Sequence, residues 1–235
     1  MYLRNFFTLD GIASTDFGVW TNGYKTFGGT TRDVDLLQVP GRHGDLVKDN
    51  KRFENVEIQY EDCGIVRQGA LLKYEELRNF LSVHSDGYYR LEDTYHPDEY
   101  RLARFVGPLD PEIGDRYETA KFDLLFDCKP QHYLKSGEEW STDPVSLRNP
   151  TMFNAEPLIR IYGTGTVQIG SETVTVTSHS YEYIDLDCAL GDARYGAYNA
   201  NQYVTMTDVP KLVPGITGVT STATSVMVQP RWWKT

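Results

Sequence analysis

The residues with the most direct chemical capacity are Asp185 and Asp187, two carboxylates one residue apart within YEYIDLDC, 181–188. Alternate residues of an extended chain share a face about 7 Å apart. Paired carboxylates can serve glycoside hydrolysis or bind calcium. The competing reading lies in the same segment. Ile184, Leu186 and Cys188 alternate with the acids as an inward face, which places Asp185 and Asp187 on the outward, solvated face of an ordinary strand. His43, His84, His96, His132 and His179 never fall at metal-ligand spacing. In His96-Pro97-Asp98-Glu99, proline beside two acids is the chemistry of a turn. No GxSxG elbow is present. Gly163-Thr164-Gly165 lacks the third glycine and the following helix of a dinucleotide loop. Cys63, Cys128 and Cys188 are widely spaced with no CxxC, so they read as reduced, buried thiols rather than a disulfide framework or zinc site. Trp232-Trp233 could stack on a sugar or a protein partner. Against that, Val226 and Val228 of the same terminal stretch face inward, and the indoles then pack its end. No catalytic, metal or cofactor residue is assigned, and the chain is expected not to be an enzyme.

The elements around these residues are mostly strands. Tyr2–Phe7 and Phe17–Trp20 read as short strands, and Val34–Val39 as another that leads into a loop. In that loop Pro40-Gly41 and Gly44-Asp45 are two turn signals, since proline presets φ and glycine accepts a positive one. They hold Arg42 and His43 on a tight protruding tip. After the basic run Lys48–Arg52, Val56, Ile58 and Tyr60 alternate with Glu57, Gln59 and Glu61, the pattern of a half-buried strand. The spacing of Leu71, Tyr74, Leu77, Phe80/Leu81 and His84 predicts one amphipathic helix over 70–85, stopped by a left-handed Gly87. Strands at 88–91 and 100–106 flank an acidic loop, 92–99, and another strand covers 116–127. The stretch 136–156, with Asp143-Pro144 and Asn149-Pro150, reads as a connector. From Pro157 short strands recur between turns, including a two-residue II′ hairpin at Gly170-Ser171. That texture predicts a sandwich.

Composition narrows the function. The 235 residues carry 23 basic and 33 acidic side chains, a net charge of −10. Residues 1–135 hold 17 basic and 23 acidic of these, leaving 6 and 10 for 136–235. Neither half has the clustered Lys and Arg that grip phosphates. The first residues lack the apolar run of a signal peptide, and no segment reaches a membrane span of about 18 apolar residues. The expectation is a product that stays in the compartment where it is made.

Three blocks, in order, carry a family resemblance. They are VPGRHG (39–44), the helix with DGYYRLEDTYHPDEYRLARF (86–105), and PLIRIYGTGTVQI, YEYIDLD, KLVPG and MVQPRWW spread through 157–233. Together they resemble the distal tail proteins of long-tailed, non-contractile phages, across most of the chain. One departure is Thr217, two residues after Gly215, where the family often carries asparagine. The chain is also short, similar to the compact members that lack inserted carbohydrate-binding modules.

The resemblance implies a structural protein of the virion tail tip, made in the cytoplasm of a bacterial host. It implies a homo-hexameric hub ring between the tail tube protein and the tail-associated or tape-measure protein, with DNA passing through its channel. The N-terminal domain would build the ring, and a galectin-like C-terminal domain would hold receptor-binding or other baseplate proteins. No cofactor, membrane or sequence-specific nucleic-acid contact is implied. The expected fold is mostly β, with two β-sandwich-like domains, the first with one packed helix and the second galectin-like. The expected boundaries are 1–135 and 157–235, joined by 136–156. Pro40, Gly41, Arg42 and Gly44 are expected at a subunit interface, and Trp232 and Trp233 are candidates for aromatic contact. A lectin-like module that recognises host glycans is the alternative, and a glycosidase using Asp185 and Asp187 is a third reading.

Overall fold

Alternation between faces builds the first unit around one core. In the computed structural model, which describes residues 5–21, 25–26, 28–66, 69–114 and 118–235, the chain divides into Met1–His132 (with Thr235) and Tyr133–Lys234. The long strands Val56–Val66 and Thr119–Leu134 run antiparallel through the first unit's sheet. Val56, Ile58, Tyr60, Ala120, Phe122, Leu124, Phe126 and Cys128 all point into that core. Next to them lies the hairpin Tyr89–Asp93 and Glu99–Phe105, and Phe7–Leu9 pairs with its first strand. Of the expected strands Tyr2–Phe7 and 116–127, residues 2–4 and 116–117 lie outside the described residues. Phe17 closes a 3-10 turn rather than opening a strand, with Gly18 left-handed at φ 74° behind it.

The helix spans Ala70–Val83 and buries Ala70, Tyr74, Leu77 and Leu81 against the sheet, as its spacing requires. Its end differs from expectation. The His84 amide and ring both reach the Phe80 carbonyl, at 3.3 and 2.7 Å, so the helix is closed before Gly87, which is not left-handed.

The second unit is a sandwich. One sheet centres on Leu158–Tyr162, between Tyr183–Asp187 and Ser225–Gln229; the other holds Gly165–Ile169, Glu172–Val176 and Gly215–Ser221. Ile159, Ile161, Val167, Ile169, Val174, Val176, Ile184, Leu186, Val226 and Val228 fill the space between. Gly170 has φ 61° while Ser171 stays negative, the combination a II′ hairpin needs. The architecture is mostly β with sandwich-like packing and, among the described residues, one α-helix.

The connector expected over 136–156 is instead part of this sandwich. Ser141–Thr142 pairs with Ser225–Gln229 in one sheet, and Ser146–Asn149 with Gly215–Ser221 in the other. Its polar side chains tie this stretch to neighbouring strands. Asp143 accepts from the Val226 amide at 2.7 Å, and Asn149 donates to the Phe153 and Leu212 carbonyls at 2.8 and 2.9 Å. A polarity count cannot distinguish such cross-strand bonds from solvated linker. Gly137 shows how tight the fit is, because a Cβ there would lie 2.4 Å from the Trp232 backbone nitrogen. Gly137→Ala is expected to cost about 1–3 kcal/mol by overpacking, read from the denaturation midpoint. An unchanged midpoint would contradict that packing.

Candidate functional site

Charge complementarity at a period of two creates an exposed ribbon in the first unit. Arg32–Leu37 and Leu46–Phe53 pair antiparallel as a two-stranded sheet of their own, with Asp35 opposite Lys48 and Leu36 opposite Val47. Arg32 forks onto Asp49 at 2.9 and 2.6 Å, Lys48 meets Asp35 at 3.1 Å, and Asn50 and Arg52 both reach Asp33. These pairs are exposed and screened by solvent, so they set register more than they stabilise. Arg42 donates its amide to the Val39 carbonyl at 3.1 Å, and Gly41 and Gly44 are left-handed at φ 78°. Pro40, Gly41, Arg42 and Gly44 therefore form the tip that joins the two strands.

Beside that tip the ribbon is apolar on both faces. Leu36 is 61 % exposed and Val47 59 %, with Leu37, Val39 and Leu46 also open. No residue of either strand is buried. A lone two-stranded ribbon is marginal in water, and an open apolar edge invites pairing. Such a concentration of exposed aliphatic side chains is the kind of surface that protein partners cover. The basic run Lys48–Arg52 lies within the return strand Leu46–Phe53, which its composition alone does not reveal. The signal was present in Asp33 and Asp35 on one side of the turn against Lys48, Asn50 and Arg52 on the other.

A second polar group lies at the turn end of the hairpin 89–105. Lys25 and Asp93 are ion-paired with both side chains buried. The Tyr60 hydroxyl donates to the same carboxylate at 2.7 Å, and the Tyr95 and His96 amides donate to its other oxygen at 3.0 Å. Burial pushes the Asp93 carboxyl up, but Lys25 and these donors outweigh it and hold it below the usual carboxylate range. Burial likewise lowers Lys25, offset in part by Asp93. His132 Nδ1 lies 3.2 Å from Glu99. The turn reading of His96–Glu99 holds, since the Glu99 amide donates to the His96 carbonyl at 3.2 Å. No cluster of three metal-ligating side chains exists among the described residues. Nor is any described helix long and apolar enough to cross a membrane.

The paired acids of the second unit require a correction. Asp185 and Asp187 are only 8 % and 5 % exposed, not on a solvated face. Each is gripped by an arginine fork, Arg160 on Asp185 at 2.7 and 2.9 Å and Arg231 on Asp187 at 2.7 and 3.0 Å. Burial pushes Asp187 up, yet Arg231 and the amides of residues 189 and 190 leave it below its ordinary range. An acid catalyst must hold its proton near neutral pH, and Asp187 is tuned the other way. Arg160 in turn lies over the Tyr183 ring, 4.0 Å from its centroid. Trp232 is 6 % exposed and sits in the core. Trp233 stacks on Phe153 at 4.5 Å and donates Nε1–H to the Asn154 carbonyl at 2.9 Å. Burial raises all three thiols to about 12, which keeps them protonated and inert.

No family model and no curated protein matches this sequence. Solved structures do match its fold. The SPP1 Dit (gp 19.1) protein, a paradigm of the hub adsorption apparatus in phages that infect Gram-positive bacteria, superposes with a TM-score of 0.72 at 16 % identity. The alignment covers 96 % of this chain and 98 % of that one. Chains of the phage P2 baseplate, in its activated conformation with Ca or with Sr, give TM-scores of 0.55 at 10 and 11 % identity. They cover 96 % of this chain and 97 and 96 % of theirs. Both units of this chain therefore have the fold of the phage hub proteins that its motif blocks resemble.

Proposed function

We propose that this chain is a distal tail protein, a structural component of the tail tip of a long-tailed, non-contractile phage or prophage. What supports this is the fold likeness to a hub protein over 96 % of the chain, through both units rather than one. In this reading the first unit builds a homo-hexameric ring between the tail tube protein and the tail-associated proteins. The second, galectin-like unit carries receptor-binding or other baseplate proteins. The DNA channel through the ring is lined by acidic side chains of the first unit, which do not retain phosphates. The protein has no catalytic role. It is made in the host cytoplasm and ends in the virion.

The ribbon gives this reading its chemistry. Five exposed aliphatic side chains beside a rigid Pro-Gly tip need a cover, and a neighbouring copy in the ring supplies one. Light scattering followed by negative-stain imaging is expected to show hexamers with a central hole, with the tube protein added if the chain alone stays monomeric. Leu36→Asp and Arg42→Glu are each expected to reduce ring formation at least tenfold. Because both positions are exposed, folding stability should change by no more than about 0.5 kcal/mol. Rings at wild-type yield in both variants would remove the ribbon from the interface. A monomer in every mixture, together with saturable binding on a glycan array, would overturn the hub reading in favour of a lectin.

A further inference from the structure

Arg101 is a buried cation whose nearby acceptors are already in use. It stands opposite Leu91 on the inward face of the hairpin 89–105, is 7 % exposed, and its Nη1 has no hydrogen-bond partner. The carboxylates within electrostatic reach are Asp93 and Glu99. Asp93 already accepts four hydrogen bonds, from Lys25 and Tyr60 on one oxygen and from the Tyr95 and His96 amides on the other, which exhausts its lone pairs. Glu99 is engaged by His132. A buried donor left unsatisfied costs free energy, more so on a charged group.

Arg101 lines a small cleft together with Lys25, Asp93, His96, Glu99 and His132. Both carboxylates of the cleft are committed to other partners. The enclosed space beside them is about that of one water molecule or a monatomic ion. We propose that this cleft binds a small monovalent anion of chloride size, held by the Arg101 guanidinium beside Lys25. A water molecule would supply an acceptor there but no charge. An anion supplies both, and it offsets the desolvation that disfavours a buried guanidinium. The site would help fix the hairpin end to the strand Val56–Val66, which carries Tyr60, and it does not depend on the assembly reading.

The test uses the full chain in sodium chloride, with sodium gluconate at equal ionic strength as the reference, because gluconate is too bulky to enter. Chloride-35 resonances are expected to broaden in a protein-dependent way that saturates. Arg101→Gln should lose at least four-fifths of that broadening, and Arg101→Lys should retain part of it. In the wild type, chloride over gluconate is expected to raise the unfolding midpoint by roughly 2–4 °C. That measurement stands even if Arg101→Gln does not fold. Equal midpoints in the two salts, or equal broadening in wild type and a folded Arg101→Gln, would overturn the proposal and leave a bound water.

Discussion

Asp93→Ala is expected to destabilise the first unit by about 3–5 kcal/mol, the cost of removing one partner from a buried ion pair. The substitution takes the carboxylate from Lys25, whose side chain is buried with it, and from the Tyr60 hydroxyl and two backbone amides. Asp93→Asn keeps an acceptor but loses the charge, so its cost should fall between wild type and alanine. Urea denaturation followed by fluorescence reads the loss directly. A change below about 1 kcal/mol would mean that water takes over the role of the carboxylate. The same residue sets an acid limit. Its folded pKa is depressed, so its contribution is fully present above the unfolded value of about 3.9 and is lost as pH falls through the folded one. Acid titration of Asp93→Asn should therefore lack that part of the wild-type slope.

Asp187→Ala is the counterpart in the second unit, with an expected loss of about 3 kcal/mol. It sits at the lower end of the range because Arg231 keeps a quarter of its side chain in solvent and can rehydrate. Removing both partners, Asp187→Leu with Arg231→Leu, should recover much of the loss, since no charge is then left buried alone. If the double variant is no better than the single one, the backbone donors at residues 189 and 190 matter more than the fork. Asp187 is also depressed, so its contribution follows the same pH sign as that of Asp93.

The sequence by itself determined the elements whose signal is local. Period-two alternation placed the strands from Val56 and from Leu158, and a spacing of three and four placed the helix at Ala70. The turn glycines marked the tip at 40–44, and the order of short motifs pointed to the family whose fold the chain has. The remaining features depend on partners distant in sequence. Asp185 and Asp187 alternate like a solvated face, but arginines 25 and 44 residues away bury them. The stretch 136–156 is polar like a linker, yet its partner strands begin at Gly215 and Ser225. Lys25, Tyr60, Asp93 and Arg101 meet at one end of a core although 76 residues separate the first from the last. Backbone pairing and ion pairing follow spatial neighbours, and a chain read in order shows only those a few residues apart.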